Sequence, residues 1–275
     1  MPEGHTLFAL ARDLHEAFAD TTPEVTSPQG KFTEGAAELS GRALLRATSR
    51  GKHLLAEFAD DRWLHVHLGL IGSFTVDQHQ WTAEVPAVGQ VRLRLRTDQH
   101  VADLRGPNLC EVVTPEKVDA VLARLGPDPL RPDAAPDVAW ARISRSSRSI
   151  AELLMDQSVL AGVGNVYRCE VLFRHRLSPF TEGRDLRRAS WRLIWDDLER
   201  LMPLGVATGR IVTVEDQVLE VEAALGRGEV PRLTERSSYV YRRGGMPCHA
   251  CGSRVRTRVV AGRNLFWCGR DQRRR

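Results

Sequence analysis

The sequence predicts an α+β protein. It has a β-rich N-terminal half that opens with one helix, a helical second half, and a small cysteine-bearing module at the C-terminus. Three observations carry this prediction. Apolar residues repeat at helical spacing over residues 4–19, at a period of two in runs between 41 and 114, and at helical spacing again from residue 150. Four prolines in eleven residues, Gly126 to Pro136, separate the two textures. The pair Cys248-x-x-Cys251 is followed, after sixteen residues, by Cys268.

Each element has its own reason. Leu7, Leu10, Ala11, Leu14 and Phe18 form the apolar stripe of an N-terminal helix. Leu54, Ala56 and Phe58, then WLHVHLGLIGSF from Trp63 to Phe74, then VRLRLR from Val91 to Arg96, read as strands with Gly and Asp at the turns. A β-sandwich or barrel carrying the first helix accommodates them. Past the proline-rich boundary, Ile150, Leu153, Leu154 and Val159 predict one helix. Val166, Cys169, Val171, Leu172 and Phe173 predict a second, and Trp191 to Leu201 a third. The polar segment 214–237, with Gly226 and Gly228, reads as a mobile loop. The expected domains are 1–125, 126–237 and 238–275.

Composition narrows the function. The chain has 275 residues, and 42% are hydrophobic, enough for a packed core. No run of eighteen apolar residues is present, so no membrane span is expected. The opening Met1-Pro-Glu-Gly-His lacks a basic region followed by an apolar stretch, so no secretory signal is expected and a cytoplasmic location is. Five cysteines, three of them in the last module, fit a reducing compartment, with Cys110 and Cys169 as plain core thiols. Residues 242–275 hold ten arginines and one acid, a net +9 against +4 for the whole chain, which leaves −5 for residues 1–241. A basic module on a slightly acidic body suits contact with phosphates. Lysine is scarce: only Lys31, Lys52 and Lys117 occur.

Three motifs carry chemistry. The first is the cysteine module. Two C-x-x-C knuckles at this spacing make a tetrahedral zinc site, and here the second reads Cys268-Gly-Arg-Asp271. Cys248, Cys251, Cys268 and Asp271 are therefore the candidate ligands of one structural zinc, with the carboxylate a harder donor than the thiolate it replaces. The second is Gly162-Val-Gly164-Asn165, a tight turn at the start of a helix, where backbone and dipole can receive a phosphate. The third is Pro2. Methionine is normally removed before a small residue, which would expose a secondary amine. An α-amino group titrates near pH 8, so part of it is a neutral nucleophile at pH 7. Its adduct with a sugar carbon is an iminium that keeps its charge, an electron sink for elimination. Glu3 stands beside it as a proton shuttle.

Together these pieces resemble the Fpg/Nei family of DNA glycosylases, formamidopyrimidine-DNA glycosylase and endonuclease VIII. The resemblance spans nearly the whole chain. It runs through Pro2-Glu3-Gly4, Gly51-Lys52, His65-Val-His-Leu-Gly-Leu70, Leu125-Gly-Pro-Asp-Pro-Leu130, Leu154-Met-Asp-Gln157, Ala161-Gly-Val-Gly-Asn-Val-Tyr167, Tyr239 to Cys248, and Gly262-Arg263-Asn-Leu-Phe-Trp-Cys268. The opening PEGHT is similar to that of the actinobacterial-type endonuclease VIII branch.

The resemblance implies an N-terminal β-sandwich, a helix-two-turn-helix domain and a zinc-finger β-hairpin, with a DNA cleft between the two main domains. It implies Pro2 as nucleophile at C1′, Glu3 as acid and base, and Lys52 as a catalytic phosphate contact. Asn165 and Arg263 would hold the backbone. Leu70, with Ile71, would fill the hole left by the flipped nucleotide. The expected partner is damaged DNA, met by a monomer away from membranes.

Departures from the family pattern bear on the lesion. His5 and Thr6 stand where Pro-Glu is frequent, so a second carboxylate is missing. Ala151 stands where the formamidopyrimidine branch has a lysine. The loop Asp103-Leu-Arg105-Gly-Pro107 lacks an Arg-Phe pair, leaving Arg105 to do part of its work. These differences favour oxidised pyrimidines over 8-oxoguanine. The expectation is a bifunctional glycosylase and abasic-site lyase that cuts by β,δ-elimination. The alternatives are a non-catalytic binder of damaged or single-stranded DNA on the same scaffold, should Met1 remain, and an RNA-binding zinc-ribbon protein, which leaves Pro2-Glu3 unexplained.

Overall fold

The structure is a computed structural model that describes residues 2–79, 86–231, 233, 235 and 237–273. The chain divides into two compact units, Met1–Arg124 and Leu125–Arg275.

The first unit opens with α1, Gly4–Phe18, followed by β1, Glu24–Thr26, and α2, Thr33–Leu39. Strands β2 (Leu44–Arg50), β3 (His53–Phe58), β4 (Arg62–His67) and β5 (Ser73–Gln78) follow. Then come β6 (Val91–Arg96), β7 (His100–Arg105), β8 (Leu109–Val113) and helix α3 (Pro115–Leu122). The strands make two antiparallel sheets, β2-β3-β4-β8 and β1-β6-β7-β5. Leu54, Ala56, Phe58, Leu64 and Val66 of one sheet meet Val25, Leu93, Leu95, Ala102 and Leu104 of the other in one core. Every residue of the helical stripe expected in α1 is buried in that core.

The alternation in β6 holds, but Arg94 is buried as well. It makes a bidentate bond across the ladder to Asp103, Nε to Oδ1 at 2.7 Å and Nη2 to Oδ2 at 2.8 Å. Burial works to raise the Asp103 carboxyl, yet Arg94 and Arg105 hold it below the usual carboxylate range. The run Trp63 to Phe74 is two strands, not one. Gly69 has φ +71°, and a Cβ on Gly72 would stand 2.2 Å from the Leu68 carbonyl oxygen. Glycine at both places lets the chain reverse there.

The second unit is helical, with α4 (Pro136–Ile143), α5 (Ile150–Leu153), α6 (Asn165–Arg174), α7 (Arg188–Thr208) and α8 (Glu215–Gly226). It ends in the antiparallel hairpin of β9 (Val255–Val260) and β10 (Arg263–Cys268). Two expectations are corrected here. The stripe Ile150 to Val159 is not one helix: α5 ends at Leu153, and Asp156 accepts from the Ser158 backbone N–H at 3.0 Å and hydroxyl at 2.6 Å. Such an acid offers the backbone a turn in place of the helix. Segment 214–237 is not all loop either. Val218, Val221 and Ala224 form the buried face of α8.

The polar residues of α8 are ion-paired to its neighbours. Arg174 of α6 binds Asp197 of α7 and Glu215 of α8, while Arg200 of α7 binds Glu215 and Glu222. Helices α2, α3 and α4 were not expected from the sequence; α3 and α4 each carry a proline in the first turn, where it costs no hydrogen bond.

Candidate nucleic-acid interface and metal centre

Within the first unit, Pro2 is half-buried and Glu3 is fully buried. Glu3 takes the N-cap position of α1 with extended backbone, and its carbonyl accepts from Thr6 N–H at 2.9 Å, yet its carboxylate does not cap the helix. Burying a carboxyl is costly, which makes Glu3, beside Pro2, a candidate for acid and base chemistry. His5 follows, 3% exposed, and burial pushes its imidazole down to about 3. Lys52 sits in the β2–β3 turn, where Gly51 has φ +59°. Helix α1 packs on both of those strands.

Three histidines that the sequence reading passed over gather beside Lys52. In β3 and β4, His53, His65 and His67 share the sheet face turned away from the sandwich core. His53 Nδ1 lies 2.8 Å from His65 Nε2, and His65 Nδ1 lies 3.2 Å from Glu111 Oε1 on β8. The His67 ring stands edge-on to His53, and its Nδ1 accepts from Gly69 N–H at 3.1 Å. Burial, then His65, His67 and Lys52, push His53 down to about 4. The same burial lowers His65 and His67, with Glu111 opposing it at His65. The readable signal was His65-x-His67 on a strand, which places both rings on one face.

This cluster gives a stability expectation. The folded chain holds His53 neutral to about pH 4, whereas an unfolded histidine takes its proton near pH 6.5. Between those values the unfolded state binds more protons, so stability falls as the pH is lowered through that window. The effect of His53 is on the order of 3 kcal/mol. Melting temperature measured from pH 7 to pH 4 is expected to drop less steeply for His53→Gln than for the natural chain. Parallel curves would show that His53 is not held neutral.

Leu70 and Ile71 lie in the β4–β5 turn, 47% and 89% exposed, so Ile71 in particular packs in no core. Arg105 is tied down by its own unit: Nη2 donates to Asp103 Oδ2 at 2.7 Å and Nε to the Val88 carbonyl at 3.0 Å. Cys110 is a half-buried thiol that burial pushes up to about 12, consistent with an inert role.

In the second unit, the glycine turn is built around Gln157. Its Oε1 accepts from Gly162 N–H at 3.0 Å, and its Nε2 donates to the Val163 carbonyl at 2.9 Å. Gly162 takes φ +87°, and Gly164 is the N-cap of α6, so Asn165 is the first residue of that helix. The Asn165 amide donates to the Asn264 carbonyl on β10 at 2.9 Å. Arg263 is next to Asn264 and follows the turn Ala261-Gly262, whose φ values of +50° and +71° suit a two-residue hairpin. The structure therefore joins two of the sequence-predicted positions, Asn165 and the Arg263 turn. The hairpin seats on α6 through buried Leu265 and through Phe266, whose N–H points at Cys169 Sγ at 3.5 Å. Trp267 meets the Phe180 ring edge-on.

Glu170 is a further residue the sequence reading missed. Its fully buried carboxylate accepts from the N–H groups of Tyr239, Val240 and Tyr241 and from the Thr213 hydroxyl, at 2.8–2.9 Å. It thus fixes the segment that leads into the cysteine module.

Cys248, Cys251, Cys268 and Asp271 bring one ligand atom each to within 4.8 Å of one another. Asp271 Oδ2 is 3.2 Å from Cys248 Sγ and 3.1 Å from Cys268 Sγ, and the sulfurs of Cys251 and Cys268 are 3.4 Å apart. A tetrahedral ion with bonds of about 2.0–2.3 Å to oxygen and sulfur needs ligand separations of this order. The four residues therefore fit a metal.

Residues 1–108 match the formamidopyrimidine-DNA glycosylase N-terminal domain, and residues 125–216 match the formamidopyrimidine-DNA glycosylase H2TH domain. Endonuclease 8 1 of Mycobacterium tuberculosis is 46% identical over 98% of each chain. Formamidopyrimidine-DNA glycosylase of Thermus thermophilus is 33% identical over 98% of this chain and 96% of its own. The fold matches that of Lactococcus lactis formamidopyrimidine-DNA glycosylase, solved on DNA containing an abasic site, with a TM-score of 0.78, 20% identity and coverage of 99% and 100%. Two family domains in the expected order and a relative this similar over its full length leave one assignment: the chain belongs to the Fpg/Nei family of DNA glycosylases, which have glycosylase and abasic-site lyase activity.

Proposed function

We propose that this enzyme excises oxidised pyrimidines from DNA and cuts the strand at the resulting abasic site, with the nitrogen of Pro2 as nucleophile once Met1 is removed. The observation that carries this is the fully buried Glu3 carboxyl, next to Pro2 and not used to cap α1. The Pro2 nitrogen bonds to C1′ and gives up its proton as the glycosidic bond breaks, with Glu3 supplying the proton on the leaving side; the C1′–O4′ bond of the sugar ring then opens, O4′ takes up a proton, and the Pro2 adduct becomes an iminium. The resulting iminium acidifies C2′, and loss of that proton expels the 3′ phosphate. A second elimination expels the 5′ phosphate and leaves a one-nucleotide gap. Lys52, Asn165 and Arg263 hold backbone phosphates, and Leu70 with Ile71 fills the space of the extruded nucleotide.

The half-exposed Leu70 and the protruding Ile71 suit that wedge. Arg105, held by Asp103 and Val88, serves as a preset contact for the opposite strand. Cys248, Cys251, Cys268 and Asp271 hold zinc, which supplies only rigidity to the hairpin. Preference for pyrimidines rests on the departures: His5 and Thr6 in place of Pro-Glu, and Ala151, fully buried, in place of a lysine.

Duplexes carrying thymine glycol or 8-oxoguanine test the assignment. The pyrimidine lesion is expected to be cut at least about tenfold faster, leaving phosphates on both ends of the gap; a factor of ten corresponds to about 1.4 kcal/mol of transition-state preference. Faster cutting of 8-oxoguanine would overturn the substrate class. A 3′ product ending in an unsaturated aldehyde would overturn the second elimination.

A further inference from the structure

We propose that Arg168 is a positioning residue for the phosphate grip of the second unit: it sets the orientation of the Asn165 amide and, through it, the seat of the hairpin turn that bears Arg263. The proposal rests on reading Asn165 and Arg263 as backbone contacts.

Arg168 lies three residues after Asn165 in α6, on the same helical face, and is fully buried. A guanidinium taken from water is costly to keep, and an apolar side chain would fill such a site more cheaply. Its contacts explain its presence. Nη1 donates to the Ala151 carbonyl at 3.3 Å, and Nη2 donates to Asn165 Oδ1. Glu152 on α5 is near enough to feel its charge.

The chemistry of the three partners permits one arrangement. A guanidinium only donates, so it must meet the oxygen of the Asn165 amide. The amide nitrogen is thereby turned away, toward the Asn264 carbonyl, which only accepts and lies 2.9 Å from it. Asn165 is clamped from both sides, and neither partner tolerates the flipped amide. The chain of contacts runs from the α5 carbonyl through Arg168 and Asn165 to Asn264, the neighbour of Arg263 at the start of β10. A grip on phosphate needs its donors held to a fraction of an ångström, which this buried chain provides.

The test is a double-mutant cycle of Arg168→Met and Arg263→Gln, read as affinity for a duplex with a tetrahydrofuran abasic analogue at several salt concentrations. Arg263→Gln is expected to lower the salt slope by roughly one. Arg168→Met is expected to weaken binding about tenfold or more and to lower the slope similarly, although the Arg168 side chain is fully buried. The double variant is expected to bind no worse than Arg263→Gln alone.

Arg168→Lys keeps the charge and the stem but loses the fork. It is expected to fall between, and it replaces Arg168→Met in the cycle if that variant does not fold. Additive losses, an unchanged slope, or full rescue by lysine would each overturn the positioning role. If Arg263→Gln itself leaves affinity and slope unchanged, the phosphate-grip reading fails instead, and the two failures are distinguishable.

Discussion

Borohydride is expected to trap the enzyme covalently on abasic DNA, and a form that keeps Met1 is expected to lose trapping by roughly a thousandfold or more. The reason is electronic. With Met1 in place, the Pro2 nitrogen is an amide whose lone pair is delocalised into a carbonyl, and it cannot attack C1′. Once Met1 is gone, the nitrogen is a secondary amine titrating near pH 8, and a useful fraction is neutral at pH 7. The adduct has no N–H to lose, so its charge persists until the eliminations are complete. Pro2→Gly keeps a primary amine at the same point and should trap more weakly without falling to background. Mass spectrometry of the N-terminus fixes which form is assayed. Undiminished trapping by the Met1-bearing form would remove Pro2 from the mechanism and point to a lysine; Lys52, in the same unit, would be the first to examine.

The sequence was most readable where one periodicity met one environment. The stripe of α1 and the alternation of β6 were visible because each packs a single apolar face on a core. Helix α8 escaped because its polar face is stabilised by Arg174 and Arg200, residues of two other helices, so local composition looked like loop. The stripe Val218, Val221, Ala224 was nonetheless there to be counted. The break after α5 escaped because Leu154, Val159 and Leu160 are buried whether or not the backbone is helical. Of the site, the four candidate metal ligands were legible from spacing alone and do converge.

The supporting residues were not legible. Arg168, Glu170 and the His53–His65–Glu111 chain act through partners up to 71 residues away, such as Tyr241 on Glu170. A short motif cannot announce such contacts. Arg168 shows the cost of reading charge as surface: in a chain with 36 arginines, a fully buried one looks like the rest.

Glu3→Gln is expected to separate the two activities. Gln keeps the shape of the fully buried side chain at the N-cap of α1, so the helix start and its Thr6 N–H bond to the residue 3 carbonyl should persist. What it loses is an ionisable proton. Release of a base from an intact nucleotide needs that proton on the leaving side, and a positioned general acid typically contributes a factor of about 10²–10⁴. Excision of thymine glycol is therefore expected to fall by about that factor, equivalent to roughly 3–5 kcal/mol of lost transition-state stabilisation.

At a pre-formed abasic site no base remains to leave, so Pro2 can still form the iminium and strand cutting should fall much less, by about tenfold. The paired assay is self-controlling, because a variant with a disturbed N-terminus would lose both activities together. Glycosylase activity equal to that of the natural enzyme would show that the buried Glu3 is structural. An equal loss of both activities would remove the leaving-side role from Glu3.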